Sequence, residues 1–253
     1  MSDNISRRNF IVTGLATVAG ISGLGIAAKI ADRYGLLAPD HAGIFGVGEA
    51  LTYGAQRILT AHHSLAREFS RSEISKVSPV NHGHPRYDPY ERLLFGKFAD
   101  WRLYVDGLVA RPTCLSLADL KRMPSRTQIT ELNCEEGWSY IAAWTGVQLS
   151  LILHLVGTSP KAKWVVFYPF NDFWGSIDMP EALHPQTLLA YGMNGEDLTP
   201  DHGAPVRLRI PRQVGYKNLK YLARISVTES LKDIGDGNGS AAPEIGYSWY
   251  GGI

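Results

Sequence analysis

The stretch Glu131-Leu-Asn-Cys-Glu-Glu-Gly-Trp-Ser-Tyr140 sets one thiol, Cys134, beside two carboxylates and ahead of a Gly-Trp turn. A cysteine in this setting has four roles open to it: packed core thiol, disulfide partner of Cys114, nucleophile or metal ligand. A nucleophile needs the thiolate form, which nearby cations favour, and the charges of Glu135 and Glu136 oppose it. A metal reverses that balance, because it deprotonates a coordinating thiol outright and thiolate is a soft ligand suited to redox metals. The local residues alone leave all four readings open.

Further along, Asp201-His-Gly-Ala-Pro-Val-Arg-Leu-Arg-Ile-Pro211 leads into Val214-Gly-Tyr-Lys-Asn-Leu-Lys220. If 206–210 is a strand, Arg207 and Arg209 share one face, and Val206, Leu208 and Ile210 share the other. With Lys217 and Lys220 they form a cationic patch suited to a phosphate, or a solvated basic edge. The loop Pro79-Val-Asn-His-Gly-His-Pro85 adds an asparagine and two histidines of the kind that line sites. His62 and His63 are adjacent in a helical pattern, so they point to different faces and read as a solvated pair. Glycine-rich phosphate loops, zinc spacings such as Cys-x-x-Cys and the Gly-x-Ser-x-Gly elbow are missing from the sequence.

These residues need a scaffold, and 253 residues can bury a sizeable core. A net charge of +1 gives no electrostatic footprint for nucleic acid. All six tryptophans follow residue 100, which places the densely packed domain there. With 26 glycines and 14 prolines, the composition favours a loop-rich mixed fold over a helical bundle.

In chain order, Arg7-Arg8 precedes an uncharged Gly/Ala-rich run from Ile11 to Ala28, the layout of a twin-arginine export leader over residues 1–28. No clean cleavage site precedes Lys29, so a retained, membrane-tethering leader is also an expectation. Residues 29–76 read as a linker followed by an amphipathic helix from Gly48 to Phe69. Trp101 to Val109 alternates and then breaks at Asp106-Gly107, a hairpin signal. Ser116 and Asp119 form a capping-box pattern, and Arg126 to Leu132 is a strand that delivers Cys134. Val147 to Val156 reads as a buried helix stopped by Gly157, and 163–168 as a buried strand. A short helix begins at Pro180, and Leu188 to Met193 runs into an Asn194-Gly195 hairpin turn. Strands follow at Ala204–Pro211 and Leu222–Thr228, then a mobile Gly-rich segment, 233–242, and an aromatic tail packed on the body.

Together these segments resemble the sulfite oxidase superfamily of molybdopterin enzymes. The resemblance rests on Asn81-His82, Cys134-x-x-Gly-Trp138, Trp144-Thr-Gly146, Leu188 to Gly195, His202-Gly-Ala-Pro-Val-Arg207 and Gly215-Tyr-Lys-Asn-Leu-Lys220. It runs from about Val77 to the C-terminus and implies one domain, 77–253, with an α+β, sheet-rich sulfite-oxidase-type fold. It implies molybdenum-molybdopterin as cofactor, with Cys134 as metal ligand and catalytic residue. It implies that Asn81, His82, His202, Arg207, Asn218, Leu219 and Lys220 hold the pterin and its phosphate. Asn171 would add a cofactor contact, and Asp172 a catalytic one.

Three departures separate this chain from sulfite oxidases. Val80 stands where they have an arginine, Phe173 or Trp174 where they have an active-site tyrosine, and Glu135-Glu136 follows the cysteine. A pocket short of cations and rich in carboxylates binds sulfite poorly. The resemblance therefore implies a periplasmic, monomeric enzyme that moves oxygen atoms on a small S- or N-oxide. No haem-attachment motif is present, so a separate cytochrome or membrane haem protein would supply electrons. Sulfite oxidation, or a non-catalytic binding module with a Cys114–Cys134 disulfide, are the competing expectations.

Overall fold

The computed structural model describes residues 37–39, 46–60 and 64–253. The expected leader and the His62-His63 pair lie outside the described residues. The architecture is α+β, as expected, with two five-stranded sheets that share one core.

The first sheet runs β2 (Thr113–Ser116), β1 (Arg102–Gly107), β10 (Leu222–Thr228), β5 (Trp164–Pro169), β6 (Gly175–Asp178). Its apolar alternation puts Leu103 and Val105 inward and Tyr104 outward. β1 and β10 pair in parallel, and the other neighbours are antiparallel. The expected turn at Asp106-Gly107 is instead the last part of β1, and residues 108–112 make the link to β2. Gly107, at φ +87°, lies against Val227, whose carbonyl oxygen would sit 2.1 Å from a Cβ. The glycine is there for close strand contact rather than for reversal.

The second sheet holds β3 (Arg126–Asn133), β4 (Ser139–Gln148), β7 (Leu188–Met193) and β8 (Glu196–Asp197), with β9 (Arg207–Arg209) also paired to β7. Asn194 and Gly195 both adopt positive φ in the β7–β8 hairpin, as their residue types predict. Apolar faces of both sheets meet over α4 (Leu149–Val156), which ends at left-handed Gly157.

The first helix among the described residues, α1 (Gly46–Thr60), stops short of the expected Phe69. The backbone at 64–70 is spent elsewhere: the Phe69 amide donates to the Ile129 carbonyl at 2.9 Å, and Gln186 bonds both the amide and the carbonyl of Ala66. The segment thus covers the outer edge of β3 instead of continuing a helix. Helix α2 (Asp88–Phe95) supplies the buried Tyr90. The predicted capping box starts α3 (Leu117–Arg122), with Ser116 and Asp119 exchanging bonds. Asp178 caps α5 (Met179–Ala182).

The expected mobile segment, 233–242, is a series of tight turns anchored where the Ser176 hydroxyl donates to the Gly239 carbonyl at 2.6 Å. As expected, the aromatic tail packs back: Trp249 is fully buried against Tyr53 and Trp164. Among the described residues no helix is long and apolar enough to cross a membrane.

Candidate functional site

Cys134 leaves β3 at the corner of a tight turn into β4. Its amide donates to the Trp138 carbonyl at 2.9 Å, and the Gly137 amide donates back to the Cys134 carbonyl at 3.1 Å. Gly215 presses on this corner from the opposite side, where a Cβ would lie 2.9 Å from a Glu135 carboxylate oxygen and 3.2 Å from Cys134 Cα. The thiol is buried and opens onto a cavity of about 240 Å³. Burial, and after it the charges of Glu135 and Glu136, push the thiol up to about 11, against one lowering backbone bond from Glu136. A thiol so raised makes a poor free nucleophile, as the carboxylates predicted. The disulfide expectation fails: Cys114 is an exposed, free thiol on β2 of the other sheet, and Cys134 is free as well.

The cations meet the same cavity from the far side. Arg207 and Arg209 lie on β9, both almost wholly buried, so the patch is not a solvated edge. Their guanidinium groups stack near Trp144 at 5.1 and 5.3 Å from its ring. Arg207 donates to the carbonyls of His202 and Asn218, each at 2.9 Å, and it lines the cavity. Lys220 also lines it, with its ammonium on the carbonyls of Asp201 and His82. Burial and the neighbouring Arg207 pull that ammonium down to about 8. Arg209 and Lys217 drop out of the expected patch. Arg209 reaches back to Thr130 and Asn218, and Lys217 donates to the carbonyls of Ser176 and Trp249.

His202 also lines the cavity, where burial keeps its pKa below the ordinary value. Its Nε2 faces the Ser78 carbonyl at 3.2 Å and its Nδ1 the Thr199 hydroxyl at 2.8 Å, a pairing that assigns the proton to Nε2. Asn81 and His82 are on the wall, with His82 tied in through its carbonyl to Lys220. Leu219 lines the site as an apolar contact.

Two expectations change in character. Asn218 touches the cavity, but its side chain is spent on the Arg209 guanidinium, the Ile210 amide and the carbonyls of Gln213 and Val214. It braces the turn rather than offering a free polar group. Asn171 lines the cavity, whereas Asp172 is exposed and outside the lining, because adjacent residues in this turn point in different directions. Phe173 occupies the wall, while Trp174 stacks on Tyr168 away from it.

The sequence reading missed Tyr140, Tyr216, Tyr221, Ile245 and Tyr247, all of which line the cavity. For Tyr140 a signal was present, since Tyr140, Ala142 and Trp144 alternate along β4 and share its inner face. The tail residues carried none, because nothing in their pattern says where the C-terminus returns.

A metal-bearing pterin phosphate needs a soft ligand, an anion site and polar edges. Cys134 meets the first requirement. Arg207 and Lys220 make no ion pair with a carboxylate among the described residues, and the buried Arg207 lacks the paired counter-charge that burial calls for. Arg207 Nε, Asn171 Oδ1 and the Tyr221 hydroxyl are buried without partners. The residues present therefore fit the group.

The oxidoreductase molybdopterin binding domain model matches residues 93–233, over half of the chain. A protein of Azospira oryzae named "Putative protein-methionine-sulfoxide reductase subunit YedZ1" is 41% identical over 190 residues, covering 75% of this chain and 69% of that one. The protein-methionine-sulfoxide reductase catalytic subunit MsrP of Xanthomonas axonopodis is 35% identical over 167 residues, covering 60% of this chain. This chain spans about half, 52%, of that relative's length. The sulfane dehydrogenase SoxCD of Paracoccus pantotrophus overlays with a TM-score of 0.48 at 26% identity, covering 53% of this chain and 40% of its own. This chain belongs to the oxidoreductase molybdopterin binding domain family, and is a molybdopterin oxidoreductase of the sulfite oxidase type.

Proposed function

We propose that this chain is the catalytic unit of an exported, periplasmic reductase that removes oxygen from a small S-oxide, with N-oxides as secondary substrates. One observation carries the reading: a single cavity joins the Cys134 thiol to Arg207 and Lys220, neither of them in an ion pair among the described residues, while Val80, Glu135 and Glu136 line it too. The cations suit a bound phosphate and the carboxylates repel an anionic substrate such as sulfite, which favours a neutral oxide. The names of the Azospira and Xanthomonas relatives support sulfoxide reduction.

When bound, the molybdopterin cofactor supplies two-electron redox chemistry with oxygen-atom transfer. Cys134 would hold the metal, while Arg207, Lys220, His202, Asn81 and His82 would hold the pterin and its phosphate. The buried turn at Cys134 keeps that ligand in one orientation and shields it from water. In balance, the sulfoxide takes up two electrons and two protons and leaves as thioether and water. A separate haem protein, a cytochrome or a membrane partner, would deliver the electrons, in keeping with relatives named as subunits.

Protein from a molybdenum-supplied host, assayed with an artificial electron donor against sulfoxides, N-oxides and sulfite, tests the reading. One molybdenum per chain and sulfoxide turnover are expected, and both are lost in Cys134→Ala. Sulfite oxidation without sulfoxide reduction, or full loading of the Cys134→Ala variant, would overturn it. Export is tested by Arg7→Lys with Arg8→Lys, which should leave the protein in the cytoplasm. Fractionating the unaltered protein shows whether the leader holds it at the membrane.

A further inference from the structure

The family match ends at residue 233, yet a later segment builds part of the cavity mouth. A short 3-10 turn, Ala242–Ile245, ends at left-handed Gly246, and the reversal places both Ile245 and Tyr247 on the cavity. Ile245 is 62% exposed and Tyr247 37% exposed, and Val80, also on the cavity, is 39% exposed. Single exposed apolar side chains are ordinary, but three around one opening mark a binding rim.

The segment is braced. The Tyr247 ring stacks on Tyr216 at 5.1 Å and 12° between planes. Tyr216 donates its hydroxyl to the Ser248 carbonyl at 2.8 Å and its amide to Glu135 at 3.0 Å. Two residues on, Trp249 is buried and donates to Ser176. The apolar groups are thus held in place at the mouth, beside the carboxylates of Glu135 and Glu136.

We infer that Ile245 and Tyr247 form a specificity lip that selects neutral sulfoxides carrying an aromatic or bulky apolar substituent on sulfur. The inference rests on the sulfoxide-reductase reading. A sulfoxide oxygen is small and polar and belongs in the depth of the cavity, so the organic substituent is what the rim meets. Removing an apolar contact of this size weakens discrimination by roughly tenfold.

The test compares methyl phenyl sulfoxide with dimethyl sulfoxide in the molybdenum-loaded enzyme. The wild type is expected to show the lower KM for the phenyl compound. Ile245→Ser and Tyr247→Ser should each raise that KM with a smaller effect on kcat. The phenyl-to-methyl ratio of kcat/KM should fall at least about threefold. Tyr247→Phe, which keeps the stacked ring, should retain the ratio. Binding of thioanisole, the phenyl thioether product, followed by tryptophan fluorescence, should weaken in the same two serine variants. An unchanged ratio and unchanged thioanisole affinity in serine variants with normal molybdenum content and circular dichroism overturn the lip. If a serine variant loses its metal, Ile245→Ala makes the same comparison, and an unchanged ratio there is equally fatal. Wild-type protein that reduces neither sulfoxide sinks the reductase reading and the lip with it. Reduction of both with an unaltered ratio in the variants sinks the lip alone.

Discussion

Glu135 accepts the backbone amide of Tyr216 at 3.0 Å, tying the turn that carries Cys134 to a turn 81 residues further along. The same carboxylate group lies 3.5 Å from the Cys134 sulfur, so one side chain both braces the corner and raises the thiol. The sequence showed the charge beside the cysteine but not the brace.

Glu135→Gln separates the two effects. Glutamine keeps a carbonyl acceptor for the Tyr216 amide and removes the charge. In cofactor-free protein the thiol, pushed up to about 11 in the wild type by burial and its carboxylate neighbours, should titrate lower in this variant, as followed for both proteins by thiolate absorbance against pH. Stability should change by no more than about 1 kcal/mol. Glu135→Ala should lower the thiol pKa as well, and should cost more stability because the Tyr216 amide loses its partner.

Arg207 is buried with carbonyl partners and no carboxylate, and burial lowers its pKa. Desolvation of the guanidinium opposes the gain from its hydrogen bonds. Arg207→Met in cofactor-free protein should therefore stay within about 1 kcal/mol of wild type by urea unfolding. Its pterin and molybdenum content should fall sharply in the loaded preparation. A variant that unfolds readily but still loads cofactor would show that the residue serves the fold instead.

Legibility followed the kind of signal available. The Cys134 corner, the Ser116 cap and the Asn194-Gly195 hairpin were readable because turn and cap chemistry is local. The two-residue period put Arg207 and Arg209 on one face, but period alone does not say what covers a face, and Trp144 covers this one. Lys217 and Lys220 read as one patch, yet the 3-10 turn at Gly215–Lys217 sends Lys217 toward Ser176 and Trp249. Asp172 sits in a turn where no period applies, and it faces solvent while its neighbours, the expected Asn171 and also Phe173, line the cavity. The return of the tail depends on contacts between residues some 200 positions apart, such as Tyr250 with Gln56, which leave no local trace.

Lys220 makes cofactor-free stability depend on pH. Its folded pKa, about 8, lies below the ordinary 10.5, so between those values the unfolded chain binds the extra proton. Stability from this group therefore rises with pH through that window. Above about 9 the raised Cys134 thiol works in the opposite direction, because the unfolded thiol loses its proton first. From about pH 7 to 9, unfolding free energy should rise by on the order of 1 kcal/mol more in wild type than in Lys220→Met. A bound phosphate favours the charged ammonium, so the loaded enzyme should show a weaker trend.

Arg57 ties α1 to the buried start of α5. It contacts Asp178 and Glu181, both essentially fully buried, and Glu181 in turn pairs with Arg212. Burial works against each of these charges, but the two carboxylates hold Arg57 protonated, and the two arginines hold Glu181 below the usual range. Asp178 has Arg57 as its ion-pair partner, and burial pushes its pKa up. Arg57→Ala therefore strands a carboxylate in the core and should cost roughly 3–5 kcal/mol in urea unfolding. Adding Asp178→Asn removes the stranded charge and keeps an acceptor for the Glu181 amide that Asp178 caps at 3.0 Å. The double variant should recover more than half of the loss. Equal instability in the single and double variants would mean that α1 is held by packing of Tyr53 against Trp249 rather than by the ion network.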